Sequence, residues 1–102
     1  MINVMARFAV KEGREAQFEE AIAIARPQMM ADSGCLRYDL QKSRRSSTDY
    51  VLLESYDSKE AIQRHGELEA FRVFGEAVKD LLEGEPEVVF LAPVGDQVDA
   101  TG

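Results

Sequence analysis

The sequence predicts an α+β domain, a four-stranded antiparallel sheet with both helices on one face. Three observations carry that prediction. Apolar residues alternate in four segments and recur every three or four positions in two others, in the order β-α-β-β-α-β. The two β-α-β halves are of similar length and no interior linker separates them, so the split βαβ arrangement is the natural closure. The chain has 102 residues, 45% hydrophobic and 30% charged, which is one core's worth and too little for two.

The opening "INVMARFAV" alternates, placing Ile2, Val4, Ala6, Phe8 and Val10 on one side of a strand, and Lys11-Glu12-Gly13 supplies a turn. A helix is predicted over 14–32, where Phe18, Ile22, Ala25 and Met29 share one face. Pro27 lies inside it and predicts a kink or an early end; Gly34 is expected to terminate it. "CLRYDLQK" (35–42) is the second strand, with Leu36, Tyr38 and Leu40 on one face. The polar stretch 43–49 reads as a hairpin connection, and "YVLLESYD" (50–57) as the third strand. Asp57 and Glu60 have the spacing of a capping box, so a short helix should start at Ser58 and give way at Gly66. A longer helix over about 67–83 carries Phe71, Phe74, Val78 and Leu81, and Gly84 closes it. "PEVVFLAPV" (86–94) is the last strand. Residues 1–95 are thus read as the domain and 96–102 as a flexible tail.

Two helices cover one face of such a sheet, and the other should read polar. Val51-Leu52-Leu53 and Val88-Val89-Phe90-Leu91 are instead apolar at consecutive positions, so both faces carry hydrophobic side chains. A second copy of the same face is the simplest cover, and a homodimer is expected.

The formal charge of −7, with acids spread along the chain, argues against a nucleic-acid partner, which requires clustered basic residues. No apolar run reaches the length of a membrane helix and no targeting segment is evident, so no membrane partner and a cytoplasmic location are expected. The lone Cys35 suits a reducing compartment and provides no multi-cysteine metal site. No phosphate-cradling glycine loop, histidine-rich metal spacing or nucleophile elbow is present, so no metal or other cofactor is expected.

Chemistry concentrates in "ESYDSKEAIQRHGELEAF" (54–71). His65, the single histidine, stands on the inward face with Ala61 and Ile62. There it is either a general base or a core histidine bonded to a backbone carbonyl. Glu54 interrupts an apolar strand, sharing a face with Tyr50, Leu52 and Tyr56 that is either a pocket or half of an interface. Its burial needs a partner, for which His65, Arg7 and Arg37 are the candidates. Cys35 reads as a small buried hydrophobe. Phe8, Tyr38, Phe71 and Phe74 are core residues, some of which could line a cavity between helices and sheet.

"VKEGREAQFEEA", "DSGCLRYDL", "YVLLESYDSKEAIQRHGELEAF" and "EVVFLAPV" together resemble the antibiotic biosynthesis monooxygenase family, in its quinol-monooxygenase-like group, over about residues 2–94. The resemblance implies a ferredoxin-like protomer, a homodimer closing a dimeric α+β barrel, and a small pocket between sheet and helices. It implies oxidation of an electron-rich phenol or hydroquinone by dioxygen without metal or flavin, the deprotonated substrate supplying the electrons. His65 would then accept the phenolic proton and Glu54 would orient it, with Tyr56 and Phe71 walling the pocket beside Phe8, Tyr38 and Phe74. The family's haem-degrading branch uses an asparagine, a tryptophan and a histidine. Ala6, His65 and Gly75 stand at those places and the chain has no tryptophan, so haem degradation is not expected. Two alternatives remain. One is an isomerase or tautomerase of a small carbonyl or sugar phosphate, with Arg37 or Arg44 for the phosphate; the other is a non-catalytic ligand-binding stress protein.

Overall fold

A computed structural model describes residues 1–95; the tail expected over 96–102 lies outside the described residues. The elements run β1 (Ile2–Ala9), α1 (Glu15–Met30), β2 (Cys35–Lys42), β3 (Asp49–Tyr56), α2 (Lys59–Glu67), α3 (Glu69–Val78), a 3-10 turn (Lys79–Leu81) and β4 (Glu87–Leu91). The strands form one antiparallel sheet in the order β2-β3-β1-β4, the ferredoxin-like arrangement. β3 alternates strictly, burying Tyr50, Leu52, Glu54 and Tyr56 toward the helices. Opposite Tyr50, Phe8 of β1 meets Phe18 of α1 with ring centroids 5.1 Å apart, and Phe18 lies 4.9 Å from Tyr50. This aromatic contact joins α1 to the sheet in tilted geometry.

Several local expectations are corrected. α1 continues through Pro27, which sits on the exposed face, and ends at Met30, short of the predicted 32, with Met29 fully buried against the core. Gly34 is not the residue that ends this helix, which stops at Met30. A Cβ on Gly34 would lie 2.6 Å from the Ala61 Cβ and 2.8 Å from an Arg64 nitrogen, so the glycine serves close approach of β2 to α2. Leu36 does not share the buried face of Tyr38. A β-bulge between Cys35 and Arg37 leaves Leu36 unpaired and half exposed, and turns Cys35 inward with Tyr38. The cap of α2 is Ser58, whose hydroxyl accepts from the Ala61 N–H, one residue after the predicted capping-box start at Asp57. α2 also continues past Gly66 and breaks at Leu68, which adopts an extended backbone and donates its N–H to the His65 carbonyl. The longer helix predicted over 67–83 is therefore α3 (Glu69–Val78) followed by a 3-10 turn. β4 is shorter than 86–94.

The helices all lie on one side. On the other, Met5, Val51, Leu53, Val89 and Leu91 form an apolar face that no helix covers among the described residues. β4 is also incompletely covered on the helix side: Val88 and Phe90, opposite Ala6 and Val4, are 51% and 62% exposed.

Candidate functional site

Register places Tyr38 of β2, Glu54 of β3, Val4 of β1 and Phe90 of β4 in one row across the sheet, with Tyr56 two residues beyond Glu54 on the same face. The bulge after Cys35 sets this alignment. α2 is pinned above the row at its start by Ser58 and near its end by Arg64, whose guanidinium grips Asp32 through both oxygens at 2.8 and 3.0 Å. Those hydrogen bonds, with one from the Gly34 N–H, hold the Asp32 carboxyl down at about 2. The next residue on α2 is His65, turned to the sheet and boxed by Tyr38, Tyr56 and Phe71 with ring centroids 5.8, 5.2 and 5.2 Å away.

Glu54 and His65 meet at the inner wall. The His65 Nε2 lies 3.7 Å from Glu54 Oε1, too far for a hydrogen bond, and the Tyr56 hydroxyl donates to that same oxygen. The second His65 nitrogen, Nδ1, is buried without a hydrogen-bond partner among the described residues, so the histidine is not tied to a backbone carbonyl. Burial pushes the Glu54 pKa above its ordinary value, opposed by the Tyr56 hydrogen bond, and pushes the His65 pKa below its own, opposed by the charge of Asp32. The two proton affinities are thereby drawn toward each other. Desolvation raises the phenols of Tyr38 and Tyr56, keeping both protonated, and the Tyr56 hydroxyl donates to Glu54.

In front of this cluster opens a cavity of about 390 Å³, within the range of small-molecule sites. Glu54 and His65 both line it, as do all five aromatic residues singled out from sequence: Phe8, Tyr38, Tyr56, Phe71 and Phe74. Phe8 and Phe74 do so from the core side, in edge contact with centroids 6.3 Å apart. Ala6 and Gly75, matched to positions of the haem-degrading branch, line it too. The sequence reading missed Gly66, Lys79, Val88 and Phe90 as wall residues. The signal for Gly66 was present, since it follows Ile62 by one helical turn; the β4 residues had none, because their exposure depends on what the helices leave uncovered.

The remaining candidates lie elsewhere. Arg7 is exposed on the far face of the sheet, and Arg37 pairs there with Asp39 at 2.9 Å. Neither reaches Glu54, and neither Arg37 nor Arg44 lines the cavity. The Cys35 thiol is buried beside the Met30 sulfur at 3.8 Å, its pKa raised by burial. Among the described residues no three His, Cys, Asp or Glu side chains gather as metal ligands would, and no helix is long and apolar enough to cross a membrane.

The family model for antibiotic biosynthesis monooxygenase matches residues 1–77. Among solved structures, a protein of Caulobacter crescentus described as a candidate antibiotic biosynthesis monooxygenase is 31% identical, with a TM-score of 0.87 over 91% of this chain and 89% of its own. Rv0793 from Mycobacterium tuberculosis is 26% identical, with a TM-score of 0.87 over 94% and 97% of the two chains. A Nitrosomonas europaea protein with the same kind of description is 22% identical and has a TM-score of 0.88 over 92% and 99%, which speaks to the fold alone. No curated protein sequence matches the chain.

Proposed function

The chain belongs to the antibiotic biosynthesis monooxygenase family, and from that premise we propose that it oxidises a small, electron-rich phenol or hydroquinone with dioxygen. The observation that carries the reading is the placement of one acid–imidazole pair, Glu54 and His65, at the inner wall of an otherwise largely apolar cavity. A phenol presents the matching chemistry, an aromatic body for the apolar walls and one weakly acidic hydroxyl for the pair. The pair takes the phenolic proton. The resulting phenolate is electron-rich enough to reduce dioxygen, forming a carbon–oxygen bond at a ring carbon. Loss of water then leaves a quinone: phenol and O2 give quinone and H2O, with every electron supplied by the substrate. Water exclusion and orientation are the protein's other contributions.

Glu54 takes a larger part here than the orienting role the resemblance implies. With Nδ1 sealed and unpartnered, a proton there would be a buried donor without an acceptor, so the proton of neutral His65 belongs on Nε2, facing Glu54. The carboxylate is then the first acceptor and His65 stabilises the charge it carries; the two titrate as a unit. Tyr56, donating to Glu54, and Tyr38, beside His65, complete the polar end.

A sugar phosphate draws less support: neither Arg37 nor Arg44 lines the cavity, and Lys79, which does, is paired with Glu76 at 3.1 Å. A proton-shuttling isomerase of a neutral carbonyl compound draws support from the same acid–imidazole pair and would turn over without oxygen. The uncovered apolar face of the sheet supports a homodimer closed face to face, and the lone buried Cys35 supports a cytoplasmic setting.

The test is oxygen uptake by the purified protein against a panel of hydroquinones and polyphenols, with His65→Ala in parallel. Uptake is expected in the parent and its loss by about a hundredfold or more in the variant. Turnover that persists under nitrogen would replace the oxygenase by the isomerase. No turnover in either atmosphere, with His65→Ala changing only Tm, would leave the pair a structural role.

A further inference from the structure

The chain has three tyrosines, Tyr38, Tyr50 and Tyr56, and all three are almost completely buried. A buried phenolic hydroxyl ordinarily has a hydrogen-bond partner, because without one it carries a desolvation cost that a phenylalanine of the same shape avoids. Two of the three follow this rule: Tyr50 donates to Glu19 at 2.5 Å and Tyr56 donates to Glu54. Tyr38 does not. The bond it receives from Arg26 ends on its backbone carbonyl, and among the described residues its hydroxyl has no partner. Nor is that hydroxyl sealed, since His65 Nδ1 is the one side-chain nitrogen or oxygen there that is both sealed and unpartnered. Tyr38 is 2% exposed and lines the cavity, so its hydroxyl opens on that space.

The sheet sets its neighbour. Tyr38 stands directly across from Glu54 in the β2–β3 pairing, and both side chains line the cavity. On Glu54, the Tyr56 hydroxyl and His65 Nε2 both meet Oε1. Oε2 has no partner among the described residues and, like the Tyr38 hydroxyl, is not sealed. Adjacent residues of one row thus present an unengaged donor and an unengaged acceptor.

We propose that Tyr38 is a catalytic residue whose hydroxyl donates to the oxygen of the bound phenol and holds it as a phenolate once the proton has passed to Glu54 Oε2. The inference rests on the reading of the cavity as a phenol-oxidising site and adds the group that stabilises the charged oxygen. In this step the phenolic O–H bond breaks, an O–H bond forms on the carboxylate, and the negative charge moves to the phenolate. A phenol is a much weaker acid than a carboxylic acid, so the transfer is uphill. A fixed donor aimed at the new charge lowers that climb where water is excluded. Burial raises the Tyr38 pKa above that of an ordinary phenol, so Tyr38 keeps its own proton while the substrate gives one up.

The experiment compares the parent protein with Tyr38→Phe in Tm, in binding of 4-nitrophenol and of its methyl ether 4-nitroanisole, and in oxygen uptake with hydroquinones. Removing a hydroxyl that has no partner should leave Tm unchanged or higher. Affinity for 4-nitrophenol should fall by about tenfold or more while that for 4-nitroanisole stays within about twofold, and kcat for uptake should fall by about tenfold or more. Unchanged affinities and uptake would overturn the role of Tyr38 and leave the pair of Glu54 and His65 standing. A variant that loses many degrees of Tm, does not fold, or binds both probes equally weakly would make the hydroxyl structural and overturn it too. A parent without uptake that still shows the selective loss of 4-nitrophenol would retire the oxygenase and keep Tyr38 as the donor. A parent that binds neither probe would overturn both.

Discussion

Glu54 and His65 are buried to about nine-tenths, and each is pushed by burial toward its neutral form. The signs of their contributions to stability follow. Because the folded pKa of Glu54 is raised above 4.5, its contribution is complete below that value and is lost as pH rises through the folded pKa. Because the folded pKa of His65 is lowered below 6.5, its contribution is complete above that value and is lost as pH falls through the folded pKa. Wherever it is ionised, Glu54 is thus the strained member, kept for some purpose other than stability. Glu54→Gln retains an oxygen for the Tyr56 hydroxyl and removes the buried charge. Its Tm at pH 7.5 is expected to be unchanged or higher, while oxygen uptake falls by about a hundredfold or more. A Tm loss of many degrees with uptake intact would make the carboxylate structural. In the parent protein, uptake should rise with pH through the titration of the pair, in the window that opens upward from 4.5 for Glu54 and downward from 6.5 for His65. A profile that rises only near pH 10 would assign the step to the substrate's own ionisation.

The elements that hold this pair are set by two local devices. The β-bulge after Cys35 brings Tyr38 into the row of Glu54, and the approach of Gly34 to α2 sets how closely that helix, and with it His65, packs to the sheet. Gly34→Ala would force a methyl against Ala61, Arg64 and Asp57, each within 3.0 Å of the new atom. Ala61 has no flexible end to move aside, so the expected cost is about 1–3 kcal/mol of overpacking. In a domain of this size that is a Tm loss of roughly 4 °C or more, read by thermal unfolding. An unchanged Tm would mean that α2 shifts freely and that the position of His65 is not fixed by this contact. The Arg64–Asp32 clamp works on the same helix from its exposed side. The folded pKa of Asp32 is about 2 against an ordinary 3.8, so the clamp is complete above 3.8 and released only as pH falls through about 2. It therefore stays closed at every pH above 3.8, and so across the titration of Glu54, which lies above 4.5.

For the whole molecule, the unsolved surface is the far face of the sheet. Leu53 and Met5 are directly paired near its centre, with Val89 alongside. In the proposed dimer a lysine there would be buried without a partner, a cost of several kcal/mol per ion. Sedimentation is expected to show a dimer for the parent protein and a monomer for Leu53→Lys. A monomeric parent at micromolar concentration would discard the dimer, and a dimeric variant would move the interface to another surface. The cavity opens on the opposite side of the sheet, between α3 and the edge strand β4, so face-to-face pairing leaves access for substrate.

How much of this was legible beforehand depends on the range of the cause. The order of elements, the buried positions of β3 and the faces of α1 follow from periodicity, because each buries its apolar stripe whatever the neighbours are. The family follows from motifs spread along nearly the whole chain. Glu54 and His65 were conspicuous for the same reason, an acid in an apolar strand and an imidazole on an inward helix face. Their meeting was not readable, and neither was the choice between pocket and interface for the Glu54 face. Both depend on β3 pairing between β1 and β2 and on where α2 lands. The bulge at Leu36, the close approach at Gly34 and the exposed Val88 and Phe90 were hidden in the same way. A sequence determines which side of each element is apolar. Only the packed structure decides which apolar sides touch, which stay open as a cavity, and how near two titratable groups come inside it.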